Sequence, residues 1–276
     1  MCSTCGCSSY ENGITLTKMG ENYHTHHHHD GHTHSHEHHH GEDAHTHEHH
    51  HEHHHHSHDV NIVELEKDIL HQNQLGAERN RGFFDALNIF AMNLVSSPGS
   101  GKTSILEKTI ADLKGEIEFS VIEGDQQTTN DAARIHALNV PVLQINTGKG
   151  CHLDSEMIAK SLKELKPKQN SILMIENVGN LVCPAMFDLG ENQRVVIIST
   201  TEGEDKPLKY PDMFYSSNIC IINKIDLLPY LKFDVEKLKE NTKKVNPNIQ
   251  FFEVSATSGE GMEAWYEFLR SKIVKS

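Results

Sequence analysis

The run Ile89-Phe90-Ala91-Met92-Asn93-Leu94-Val95 leads into Ser96-Ser97-Pro98-Gly99-Ser100-Gly101-Lys102-Thr103, and Ser104-Ile105-Leu106 then opens a helical pattern. An apolar strand, a glycine-rich turn ending in Lys-Thr and a helix form the context that a phosphate-binding loop requires. Backbone N–H groups of such a loop cradle phosphates, and the positive end of the helix favours their charge. Lys102 is placed to reach β- and γ-phosphates, and Thr103 to hold magnesium through its hydroxyl. Gly99, Ser100, Gly101 and Ser104 complete the expected contact set. The usual first glycine of the pattern is Ser96 here. A plain glycine-rich turn is the competing reading, and the flanking strand and helix argue against it.

Working outward, short Val- and Ile-rich runs alternate with helical patterns. The runs predict strands at Ile89–Val95, Phe119–Ile122, Val142–Ile145, Ser171–Ile175, Arg194–Thr200, Ile219–Asn223 and Ile249–Val254. Helices are expected over Ser104–Leu113, Asp131–Leu138, Asp154–Leu165, Val235–Val245 and Met262–Ile273. This alternation predicts an α/β fold, a mainly parallel P-loop NTPase-type sheet with helices on both faces. Ahead of it, Ile62, Leu65 and Ile69 recur at helical spacing, with Asp59 as N-cap and Gly82 as a possible break. The expected organisation is a flexible Cys/His-rich tail over 1–59, a leading helical segment over 60–88 and a nucleotide-hydrolysing domain over 89–276.

Asn223-Lys224-Ile225-Asp226 ends a predicted strand. A carboxylate at Asp226 pairs with the N1–H and amino group of guanine, whereas adenine presents the wrong donors and acceptors. Ser255-Ala256 follows in the order expected of a base-backing loop, with Thr257 where a lysine is usual. Lys224 is expected to pack along the nucleotide. Glu176, at a strand end, is placed to orient magnesium or its water, and Gly179 to offer an N–H to the γ-phosphate. Asp125, just past another strand, is a second nucleotide-sensing carboxylate near the metal. Either acid read alone is also a solvated strand end. No catalytic glutamine is evident, so slow intrinsic hydrolysis is expected.

The 276-residue chain has a formal net charge of -14, and its apolar fraction of 36% is low. Residues 24–58 explain much of this, with 21 of the 24 histidines, six acids and no Lys or Arg. Such a balance argues against nucleic acid as a partner. No apolar leader or membrane span is evident, so a cytoplasmic location with reduced thiols is expected. Cys2, Cys5 and Cys7 put three thiols within six residues, with Gly6 easing the bend. A single nickel ion fits that set if the α-amine joins as a fourth ligand, and a redox-active or zinc-binding Cys-x-x-Cys is the alternative. The histidine tract offers many overlapping imidazole sites, whose affinity falls below about pH 6.5 as protons compete. Cys151, His152 and Cys183 lie in loops expected at one end of the sheet. Spacing leaves open whether they form a site or whether the cysteines are small buried hydrophobes. Cys220 lies inside a strand and is assigned to the core; His71 and His136 are given no role.

Together, Cys2-x-x-Cys5-Gly6-Cys7, the histidine tract, the phosphate loop, Asn130-Asp131 and Thr201-Glu202-Gly203-Glu204-Asp205-Lys206-Pro207 resemble the HypB family, nickel-incorporating GTPases of hydrogenase maturation. The resemblance implies a SIMIBI-class fold, GTP/GDP with magnesium, and a dimer promoted by GTP. It implies a high-affinity nickel site at Cys2, Cys5 and Cys7, and a weaker nickel/zinc site at Cys151, His152 and Cys183 near the dimer interface. Lys206 is implied to contact nucleotide across that interface. The implied partners are a HypA-like nickel chaperone and the large subunit of nickel–iron hydrogenase. A urease-type nickel GTPase, a nickel storage protein and a zinc chaperone GTPase are the rival readings.

Overall fold

The structure, a computed structural model, describes residues 15–19, 62–125 and 130–273. Its elements, in chain order, are β1 (Thr15–Lys18), α1 (Ile62–Ala86), β2 (Phe90–Ser96), α2 (Lys102–Leu113), β3 (Phe119–Asp125), α3 (Asn130–His136), β4 (Val142–Asn146), α4 (Ser155–Leu165), β5 (Ile172–Glu176), β6 (Gln193–Ser199), α5 (Lys206–Lys209), α6 (Pro211–Tyr215), β7 (Ile219–Asn223), α7 (Val235–Val245), β8 (Gln250–Glu253) and α8 (Met262–Lys272). Two 3-10 turns, Cys183–Met186 and Ile225–Tyr230, carry residues singled out above.

The eight strands form one sheet in the order β1-β4-β3-β5-β2-β6-β7-β8. All pairings are parallel except β1 on β4. β2 lies where the order turns, with β5 on one side and β6 on the other, so its carboxyl end opens onto the crevice such sheets use for ligands. Side chains alternate across the sheet. Met92 and Leu94 join Val121, Met174 and Ile197 under α2, α3 and α8. On the other face Ala91 packs with Ile122 and Ile175 under α1 and α4, while Val95 packs with Val196 and Ile222 under α6 and α7. Both faces being covered accounts for the uninterrupted apolar runs in the sequence.

The sequence expectations meet the structure closely in the sheet and less well at its margins. β3 continues through Glu123 and Asp125, past the last apolar residue that marked its end. Residues 15–18, counted with the tail by composition, instead add an edge strand through pairs such as Leu16↔Ile145, with Leu16 packed on the apolar cluster under α4. α1 runs unbroken through Gly82 to Ala86. An interior glycine costs about 1 kcal/mol relative to alanine, and tertiary packing offsets it. The buried stripe is Asn73, Ala77, Asn80 and Phe84 rather than the Leu65 and Ile69 positions that suggested the helix. Leu65 is exposed. Asp59 lies outside the described residues, as do the Cys2, Cys5 and Cys7 cluster and the histidine tract.

Candidate nucleotide and metal site

The phosphate loop sits between β2 and α2. Gly101 is held at φ 95, and a Cβ there would run into Asn223 Nδ2, so only glycine fits. The loop is braced from three sides. Asn223 Nδ2 donates to Ser100 O at 2.9 Å, and Lys224 Nζ to Gly99 O at 2.8 Å. Ser100 Oγ donates to Glu202 Oε1 at 2.8 Å, while Lys206 Nζ lies 3.0 Å from Ser97 Oγ and 3.1 Å from Glu202 Oε2. Lys206 therefore packs on its own phosphate loop. Lys102 Nζ donates to Ser96 Oγ at 3.1 Å, so the serine that replaces the usual glycine has a polar partner.

A cavity of about 640 Å³ opens over this loop, within the range of small-molecule sites. Gly99, Gly101, Lys102, Thr103, Ser104, Asp125, Glu176, Gly179 and Lys224 line it, as the sequence led one to expect. Cys151 lines it too. Asp226, Ser255 and Ala256 do not; they lie around Asn223, whose Oδ1 accepts Ala256 N at 3.3 Å. Asp226 follows Lys224, which is held at φ 63, and Asp226 Oδ1 is buried without a hydrogen-bond partner.

Glu176 is buried and accepts the Thr103 hydroxyl at 2.7 Å. Glu123 and Asp131 converge on it, with one carboxylate oxygen from each of the three acids within 4.8 Å of the others. These two acids were not identified from the sequence, which pointed to Asp125, two residues along the same strand and on the same cavity. Burial raises Glu176, with Lys102 and Thr103 opposing the shift. Burial pushes Glu123 up to about 9, and Glu176, Asp125 and Asp131 add to the effect. Glu123 Oε2 and Glu176 Oε2 are both buried without a hydrogen-bond partner. An all-oxygen set with orphaned acceptors next to a threonine hydroxyl fits a hard divalent cation such as magnesium.

Glu123 also makes a stability prediction. Between its usual 4.5 and about 9, the unfolded chain has released this proton and the folded protein has kept it. Stability therefore falls as pH rises through that window. Glu123→Gln has no proton to release. In urea unfolding without nucleotide or divalent cation, it should gain on the parent steadily from about pH 5 to about pH 8, by about 3 kcal/mol near neutrality. A pH-independent difference would show that the carboxyl is ionised in the folded protein.

The thiol and imidazole residues also meet. Cys151 Sγ lies 2.9 Å from Cys183 Sγ and 3.8 Å from His152 Nδ1. The three ligand atoms fall within 4.8 Å of one another. Asp154 caps α4 by accepting from Met157 N at 2.8 Å, which fixes the end of the Cys151–Leu153 loop. Asn180 Nδ2 donates to Cys151 O at 3.3 Å and its Oδ1 accepts Val182 N at 2.9 Å, tying the two loops together. The His152 ring stacks on Phe187 with centroids 3.8 Å apart. Burial lowers His152 below its usual value, with Asp154 opposing, and so favours the neutral ligating form. Cys220 is fully buried in the core, where burial pushes its thiol far up.

Residues 90–253 match the family described as CobW/HypB/UreG, nucleotide-binding domain. The chain is 56% identical over 211 residues to the hydrogenase maturation factor HypB of Escherichia coli K12, covering 76% of this chain and 73% of that protein. The crystal structure of HypB from Archaeoglobus fulgidus superposes with a TM-score of 0.68 at 40% identity, over 72% of this chain and 98% of that one. HypB from Helicobacter pylori, solved in complex with nickel, superposes with a TM-score of 0.68 at 39% identity, over 73% of this chain and 94% of that one.

Proposed function

The chain belongs to the HypB family of CobW/HypB/UreG nucleotide-binding proteins, and on that premise we propose that it is a GTP-hydrolysing nickel metallochaperone of hydrogenase maturation. The observation that carries the reading is one shared cavity. Cys151, of the thiol and imidazole cluster, lines the same space as Lys102, Thr103 and Glu176. A ligand that reorders the phosphate end therefore acts within reach of a metal-ligating thiol.

In this reading Asp226 selects guanine, with Ser255 and Ala256 behind the base and Asn223 holding the loops together. The N–H groups from Gly99 to Ser104 and the Lys102 ammonium hold the phosphates, and Gly179 approaches the γ-position. A Cβ at Gly179 would meet Pro98 at 3.2 Å, so this segment lies directly against the phosphate loop. Thr103, Glu176 and Asp125, joined by Glu123 and Asp131, hold magnesium, which when bound neutralises phosphate charge. Nickel is the cargo. It is taken at Cys151, His152 and Cys183, a set that also suits zinc, and at Cys2, Cys5 and Cys7 of the tail. The 1–59 segment, apart from the edge strand Thr15–Lys18, gathers metal, 60–88 packs against the sheet, and 89–276 is the GTPase domain. The protein works in the cytoplasm as a GTP-promoted dimer, with Lys206 near the contact. It acts with a HypA-like chaperone on the large subunit of nickel–iron hydrogenase. Among the described residues no helix is long and apolar enough to cross a membrane.

The test is nickel retention by the purified full chain against a chelator, with GDP or a non-hydrolysable GTP analogue. A nucleotide-dependent difference of about fivefold or more is expected, the lower end of ordinary site–site coupling. Equal retention in the two states would overturn nucleotide-controlled delivery.

A further inference from the structure

Asn93 is a fully buried amide in the middle of an apolar strand. Its alternation puts it on the face of Ala91 and Val95, at the seam between the cluster under α1 and α4 and the cluster under α6 and α7. A polar chain runs through that seam. Asn93 Oδ1 accepts Asn177 Nδ2 at 3.2 Å, and Asn93 Nδ2 donates to Glu191 Oε1 at 3.0 Å. Glu191 Oε1 also accepts Arg194 Nε at 3.0 Å. Arg194 is the register partner of Asn93 across β2 and β6. All four residues are buried or nearly so.

The two ends of this chain reach the two sites. Asn177 directly follows Glu176, and its Oδ1 accepts Val178 N at 2.9 Å and Leu153 N at 3.3 Å. It thus joins the segment beside the phosphate loop to the loop that carries Cys151 and His152. At the other end Arg194 Nη1 donates to Ala185 O at 3.1 Å and Nη2 to Phe187 O at 2.9 Å. Those carbonyls lie just after Cys183, and the Phe187 ring is the one stacked on His152. Buried polar groups are tolerated only when paired, and apolar residues of similar volume often stabilise as well or better. Leucine at position 93 alone would strand Asn177 Nδ2, whereas apolar residues in place of the whole set would suit the neighbouring clusters, so stability alone does not account for a polar set there.

We propose that Asn93, with Asn177, Glu191 and Arg194, forms a positioning relay that links the Glu176–Gly179 segment to the geometry of the Cys151, His152 and Cys183 cluster. The inference rests on the nucleotide-coupled metal site proposed above. A contiguous chain is a coupling only if both sites bias one shared element. Here that element is the 177–191 segment, which starts at the phosphate cavity and ends in the Arg194 clamp.

The test uses the full chain carrying Cys2→Ala, Cys5→Ala and Cys7→Ala, with cobalt(II) as the probe. Thiolate-to-cobalt absorption then reports Cys151 and Cys183 and not the tail imidazoles. Cobalt affinity is compared between GDP and a non-hydrolysable GTP analogue. The parent should show a ratio of about fivefold or more. Asn93→Ala and Arg194→Lys should each bring the ratio to within about twofold of unity, with nucleotide affinity unchanged within about twofold. Arg194→Lys keeps a cation beside Glu191 but lacks the planar fork that holds two carbonyls at once, so it decides the matter if Asn93→Ala does not fold. Variants that keep the parental ratio overturn the relay and leave the proposed function standing. A parent with no nucleotide dependence overturns both.

Discussion

Asp226→Asn is expected to weaken GTP binding by roughly 10⁴-fold, because a site built to pair polar groups rejects the mismatched ligand strongly. The residue sits in the turn that Lys224 opens at φ 63, and its Oδ1 is buried without a partner. Guanine brings two donors, N1–H and the amino group, to a carboxylate with two acceptors. An asparagine turns one acceptor into a donor and sets it against a donor. Xanthine carries a carbonyl where guanine carries the amino group, so the same substitution should improve binding of xanthosine triphosphate. Titrating parent and variant with both nucleotides checks the assignment. Equal losses for both would mean that Asp226 supports the loop without reading the base. An unchanged GTP affinity would place the base elsewhere.

This expectation arises from the sequence alone because the motif is local: four consecutive residues at the end of an apolar strand. The phosphate loop was legible for the same reason, and β7 and α7 match their expected bounds. Elements and groups defined by distant partners were not. Glu123 lies inside β3 and reads as an ordinary polar residue near a strand end until Glu176, 53 positions later, is brought beside it. Asp131 was visible as the start of a helix and as part of the Asn130-Asp131 pair in the family resemblance, without a role near the phosphates. The strand Thr15–Lys18 has four residues with Leu16 alone strongly apolar, too short an alternation to register, and it pairs as an edge on β4. The stripe of α1 was misplaced because its contacts are partly polar: Asn73 and Asn80 reach Asp188, Ser155 and Leu189 through hydrogen bonds that hydrophobic periodicity cannot register. Asn93 escaped notice on the same grounds. The meeting of Cys151, His152 and Cys183 stood between these cases, since their residue types were conspicuous while their convergence depended on the fold of two separate loops.

Cys183→Ser is expected to lower nickel affinity at the globular cluster by more than about 100-fold, since loss of an outer partner alone costs 10–100-fold. The thiolate is the ligating form, and a serine hydroxyl stays protonated near neutral pH and offers a harder, weaker donor. In the full chain with Cys2, Cys5 and Cys7 changed to alanine, the thiolate-to-metal absorption should fall with the affinity. Cys220→Ala is the matched control. That thiol is sealed in the core and burial pushes it far above its usual range, so the substitution should leave the absorption intact. Acidification separates the cluster from the tail. Burial holds His152 below its ordinary 6.5, so it remains a neutral ligand to lower pH than an unperturbed imidazole does. Metal on the tail should therefore be released first as the pH falls, while the imidazole of the cluster still ligates. If Cys183→Ser leaves metal affinity and absorption unchanged, the meeting of Cys151, His152 and Cys183 is packing alone, and nickel must be held by the tail.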